Sequence, residues 1–155
     1  MIVLPTTPQL LRDIRNELAH TVAPEVHGAV ARVALEQIDI ILEQCAVRSA
    51  DEIAWMVEEI SEMLAYADDV VASTTDEATA AALVAARSNA AGTLHLDDLV
   101  HDYTLTSEAL SCAIEACMAD PGQSDLLRRG VEILRLRRGE RETVVRANWR
   151  LVGRG

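Results

Sequence analysis

Between Asp51 and Val71 the apolar residues Ile53, Val57, Ile60, Leu64, Ala67 and Val71 follow one another in alternating steps of four and three. That spacing is the seam of helices packed lengthwise, as in a bundle or coiled coil. A helical period recurs at Leu10, Leu11, Ile14, Leu18 and Val22, and again at Leu96, Leu99, Tyr103, Thr106, Leu110, Ala113 and Cys117. Leu127, Val131 and Leu134 form a shorter inward stripe near the end. From Val26 to Val47 apolar residues fall on more than one face, the pattern of a central helix. No stretch alternates polar and apolar as a strand does. The chain has no Phe and only two Trp and two Tyr, so its core must be built from Leu, Ile, Val, Ala and Met, which suits helix packing.

Punctuation divides these stripes. Thr7-Pro8 starts a helix with a hydroxyl cap and a proline where no amide hydrogen is needed. Pro24 kinks that helix or opens a second one. Ser49-Ala-Asp-Glu52 reads as a capping box that opens a new helix. Thr75-Asp-Glu77 caps a shorter alanine-rich helix ending near Asn89 to Gly92. Asp120-Pro-Gly122 stops the next helix, and Ser124-Asp125 caps the last, which Gly130 and Gly139 weaken. The expectation is an all-α fold: an antiparallel bundle of four long helices plus one or two short ones. A single helical domain over residues 1–143 is then followed by an Arg-rich tail, 144–155.

Several function classes lack their signatures. Met1 to Pro5 has no basic start of a secretory leader, and no window holds about 18 uncharged apolar residues, so a cytoplasmic protein is expected. Cys45, Cys112 and Cys117 lack metal spacing and read as reduced thiols. Glu17/His20 and Asp98/His101 have the carboxylate–histidine spacing of di-iron bundles. At about 100° per residue, however, His20, Asp98 and His101 point away from their helices' apolar stripes and into water. His27 and His95 have no convincing partners. No phosphate loop, nucleophile elbow or catalytic Cys/His pair is present. No catalytic residue, metal or cofactor is assigned.

Two features suggest contacts. Beside the stripe of the helix from Asp51 to Val71 lies a second face with Trp55, Met56, Met63, Tyr66 and Val70. Either another helix of the same chain covers it, or it is a subunit interface, where Trp, Tyr and Met are enriched. The other feature is charge. The chain has no lysine, and residues 128–155 hold nine Arg against three Glu, while residues 1–127 hold five Arg against 22 acidic residues. Arg135, Arg137, Arg138, Arg141, Arg146 and Arg150, with Trp149 as an apolar anchor, read as an interaction segment. It can lie on the acidic body or a twin subunit, dock on another protein, or bind phosphate. Nucleic acid fits least, because an acidic body repels a polyanion and one aromatic is no stacking platform.

Gln9-Leu10-Leu11, Ile14, Leu18, Val22-Ala-Pro24, Gly28 and Ala31-Arg32-Val33-Ala34, continued by Ile38, Ile41 and Glu43, resemble a family of small bacterial helical proteins. Members are typically encoded beside an aminoglycoside-phosphotransferase-like kinase and an acyl-CoA dehydrogenase. Arg146-Ala-Asn-Trp-Arg150 is similar to the family's Ala-Asn-Pro-Arg ending. The likeness spans about 60 residues at the two ends, and it departs at Leu35-Glu36, where the family often has Ala-Asn. The resemblance implies a non-catalytic accessory subunit that partners such a kinase in hydroxyacyl-CoA catabolism. Two alternatives stay open: a stand-alone homodimer that binds an acyl-CoA or similar small ligand, and a metal-dependent bundle enzyme.

Overall fold

In a computed structural model, residues 4–136 are described, and they form five α-helices with no strand among them. The helices are α1 (Thr7–Glu17), α2 (Ala29–Ser73), α3 (Glu77–Ser88), α4 (Leu96–Ala119) and α5 (Ser124–Leu136). The chain divides into two compact units, one reaching Glu52 and the other beginning at Ile53. Among the described residues no helix is long and apolar enough to cross a membrane.

In the first unit, α1 starts one residue earlier than its proline suggests. Thr6 is the cap, and the Gln9 side chain accepts the Thr6 amide at 2.8 Å. After Glu17 the chain widens into a π turn, Leu18–Val22, and then tightens into a 3-10 turn, Ala23–Glu25, around Pro24. Proline supplies no amide hydrogen, and its ring crowds the preceding turn, so a regular helix cannot run through it. The helix resumes at Ala29, as α2.

The capping box at Ser49 does not open a helix. α2 runs unbroken through it for 45 residues, so four long helices become one very long helix and four shorter ones. No Gly or Pro lies between Ala29 and Ser73, so nothing interrupts the ladder. The Ser49 hydroxyl instead donates to the Ala46 carbonyl, three residues back on the same helix. The division between units falls just after this motif, at Glu52. The local signal therefore coincides with a change of packing partners rather than with a helix end.

The second unit is a four-helix, up-down-up-down arrangement. The C-terminal part of α2 passes through a three-residue turn into α3, and α3 packs on α4 and α4 on α5. Contacts of α2 with α4 advance together, from Glu59 with Tyr103 to Tyr66 with Cys117, so these two run the same way. Contacts of α2 with α5 and the residue before it run oppositely, from Asp69 with Arg129 to Ser73 with Gln123. Asp76 caps α3, accepting the Thr79 amide and hydroxyl on one oxygen at 2.7 and 2.6 Å. Buried Asp102 on α4 accepts the amides of Ala91 and Gly92 at 2.8 and 3.2 Å, which fixes the α3–α4 turn. Gly92 has φ +67°, a conformation that L side chains rarely adopt.

Met63, Tyr66, Ala67 and Val70 of α2 meet Leu83 of α3, Leu110, Ala113 and Cys117 of α4, and Ile133 of α5 in one core. The inward face of α5 thus centres on Ile133 with Leu126 and Leu127, while Val131 and Leu134 are 44% and 39% exposed. The expected stripe of Leu127, Val131 and Leu134 is rotated by this packing. Gly130 is the reason α5 can approach. A Cβ there would sit 2.5 Å from the Tyr66 hydroxyl and 2.9 Å from Ile114 Cγ1. The residue that weakens the isolated helix is the one that lets it dock.

Gly130→Ala should therefore destabilise the protein by about 1–3 kcal/mol through overpacking, although alanine favours a helix by about 1 kcal/mol. A lowered midpoint in urea unfolding checks this. Asp76 gives a pH signature. Its hydrogen bonds from the Thr79 hydroxyl and amide hold its carboxyl below the ordinary 3.8. A folded-state value below the unfolded one stabilises fully above the unfolded value and is lost as pH falls through the folded value. Asp76→Ala should lower the melting temperature at pH 7, and its gap from the parent protein should shrink on acidification toward pH 3.

Candidate interaction surface

Among the described residues of the first unit, Arg15 reaches from one helix to the other. Arg15 on α1 donates from Nε to Asp39 Oδ1 at 2.8 Å and from Nη2 to Oδ2 at 3.0 Å, and its Nη1 also pairs with Glu43. The fork geometry suits a bidentate carboxylate. The Arg15 hydrogen bonds lower the Asp39 pKa, and the pairing raises that of Arg15. Leu11 on α1 and Leu18 in the π turn are half-buried beside Arg15, whereas Leu10 and Ile14 stay about half exposed.

α2 turns Asp39 and Glu43 toward α1. About 180° around the helix lies an aliphatic stripe of Val30, Ala34, Ile38, Ile41 and Cys45, within about 80° of arc. All five are exposed, Val30 at 86%. Of the apolar residues that suggested a central helix, Val30, Ile38 and Ile41 are therefore outside, on the face away from α1, while Ile40 and Leu42 are half-buried. Near the end of this unit Gln44 is buried, and its Nε2 has no hydrogen-bond partner among the described residues.

On the second unit, the face beside the predicted seam is mostly internal. Met63 and Tyr66 are 0% exposed within the chain's own core, so at these two positions the intramolecular alternative is realised and they present no surface to a partner. The predicted seam also turns inward from Ile60 on, with Ala67 fully buried and Ile60, Leu64 and Val71 packed against the core, while Ile53 and Val57 are each 41% exposed. The Tyr66 hydroxyl donates to Cys117 Sγ at 3.6 Å, and the Arg129 guanidinium lies 6.0 Å from the ring centroid. Burial, with the contact to Cys117, pushes the Tyr66 pKa up. Trp55 is half-buried, and buried Glu59 accepts the Tyr103 hydroxyl. Arg135 is exposed beside Glu132 at 3.8 Å. Arg137, Arg138, Arg141, Arg146, Trp149 and Arg150 lie outside the described residues.

His20, His27, His95 and His101 are all exposed. His20 Nδ1 is 2.8 Å from the Asn16 carbonyl, and Asp98 accepts the Thr93 hydroxyl at 2.6 Å. Among the described residues no three His, Cys, Asp or Glu side chains gather as metal ligands would. Sequence reasoning missed Asp102, whose carboxylate interrupts an apolar stripe and whose partners are backbone amides of a loop. An acidic residue at a stripe position is the signal that could have found it. Compared with known proteins, the chain matches no family model, no curated protein and no solved structure.

Arg15→Ala should loosen α1 from α2. Asp39 is 46% exposed, so solvent screens the pair and the loss is about 1 kcal/mol or less. Amide hydrogen exchange should accelerate several-fold in α1, with the amides of α4 unchanged.

Proposed function

We propose that this chain is a non-catalytic interaction subunit. It docks through the aliphatic face of the first unit on an aminoglycoside-phosphotransferase-like kinase that acts in hydroxyacyl-CoA catabolism. The observation that carries the reading is the exposed stripe Val30–Ala34–Ile38–Ile41 on the side of α2 opposite Arg15's partners. Scattered exposed aliphatics are ordinary, but several aligned on one helix face mark a surface made to be covered. The ordered spacing also fits a helix-to-groove or helix-to-helix contact.

The choice of partner rests on the family resemblance. Its N-terminal residues, Gln9 to Glu43, belong to the first unit, and Val33, Ala34, Ile38 and Ile41 are among the exposed ones. A resemblance carried by surface positions is more readily explained by a shared partner than by a shared core. The arginines from Arg137 onward supply a second, cationic point of attachment on this reading, suited to carboxylates of the partner.

Co-expression with the phosphotransferase-like kinase of the same genome tests it. The two proteins should co-purify, and alkylation of Cys45, which lies on the stripe, should slow in the complex. Ile41→Asp should weaken association at least about tenfold, because it buries a carboxylate against an apolar surface. Its own fold should persist, since Ile41 is 38% exposed. Failure to associate, with kinase activity unchanged when this chain is omitted, overturns the proposal. A purified chain that dimerises through the same stripe and ignores the kinase favours the homodimer instead.

A further inference from the structure

A cavity of about 550 Å³ opens in the first unit between the π turn and α2. Its size falls within the range of small-molecule sites, roughly 300–1,000 Å³. The walls are Leu18, Ala19 and Ala23 on one side, and Leu35 and Ile40 on the other. Two alanines face the helix where larger side chains would fill the space. The π turn adds width, and such turns recur at functional sites. Among the described residues no aromatic lines the cavity, so these walls offer an aliphatic chain contact but give a planar ring nothing to stack on.

Three charged residues border it: Arg32, Glu36 and Asp39. Asp39 is occupied by the Arg15 fork. Arg32 and Glu36 have no ion pair or side-chain hydrogen bond among the described residues, although they stand one turn apart on α2. The rim therefore offers one available cation and one available anion beside an apolar floor. A polyanion such as a nucleotide matches this poorly, since Glu36 repels it and, among the described residues, Arg32 is the one unpaired cation on the rim. A fatty acid uses only half of the rim.

We propose that this cavity binds a small zwitterion with an aliphatic tail, of the class of the branched and straight-chain α-amino acids. The ligand carboxylate sits on the Arg32 guanidinium, its ammonium on the Glu36 carboxylate, and its side chain among Leu18, Leu35 and Ile40. The head group spans the i, i+4 gap between two side chains whose Cβ atoms are about 6 Å apart on a helix. The site is independent of the proposed docking face, because Arg32 and Asp39 lie on the other side of α2 from Val30 and Ile41.

Titration of the full ¹⁵N-labelled chain with L-leucine tests this. Saturable shifts are expected at amides of residues 18–23 and 32–40, with a dissociation constant on the order of 1 mM. 4-Methylpentanoate and 3-methylbutylamine, each lacking one charge, should bind at least about tenfold more weakly. Arg32→Gln and Glu36→Gln should each weaken leucine about tenfold, while Ile41→Asp leaves it unchanged. Ala19→Leu should fill the cavity and abolish binding without lowering the melting temperature. Absence of saturable shifts overturns the proposal. So does equal binding of leucine and its singly charged analogues, which would mark the cavity as an apolar socket for a partner's side chain.

Discussion

The second unit depends on how closely α5 approaches Tyr66. Tyr66 is among the largest fully buried side chains, and its polar tip has to be enclosed with a partner. Cys117 accepts its hydroxyl from α4, Gly130 lets the backbone of α5 close over it, and Arg129 lies above the ring. Two helices thus converge on a phenol carried by a third. The surrounding aliphatics contribute most of the buried area, but they would tolerate several rotations of α5. The phenol tolerates few, because only a residue without a side chain fits at its contact point.

The first unit is organised differently. α1 buries no residue completely, and its attachment to α2 is a charged fork flanked by half-buried leucines. Where the second unit has aliphatics facing inward, the first keeps Val30, Ile38 and Ile41 outside. Its two helices are joined by a polar fork while an aliphatic stripe stays outside, the reverse of the second unit. The same helix, α2, changes character along its length without breaking its hydrogen-bond ladder. The part up to Val47 reads in sequence as central, but it is the C-terminal part that described neighbours enclose.

Period and punctuation were legible in the sequence. The all-helical fold, the stop at Asp120-Pro121, the cap before α3 and the stripe of α4 from Leu99 to Cys117 all follow from local chemistry that tertiary packing leaves alone. Facing was less legible. On α2 the stripe from Ile53 to Val71 keeps one helical spacing throughout, yet only its part from Ile60 on turns into the core beside Met63, Tyr66 and Val70, and nothing local says where it leaves. The decision rests with distant residues, Gly130 above all, which a propensity argument reads only as a weak link. The capping box at Ser49 misled because a helix start needs the preceding residues to leave the helix, and Ala46 to Arg48 have no reason to. The aliphatic stripe of the candidate surface was visible as residues that fit no single face, but without α1's fork its outward direction could not be deduced. The cavity was hidden, since it arises where a π turn meets two alanines.

Asp102 has a consequence for the order of assembly. Its partners, Ala91 and Gly92, are only eleven and ten residues away, so joining them closes a short loop at small entropic cost. The phenol of Tyr66 must instead find Cys117 across 51 residues. The α3–α4 hairpin is thus the favoured place for the chain to begin ordering, and closure around Tyr66 comes late. Ordering spreads outward from a carboxylate whose two oxygens are held by loop amides.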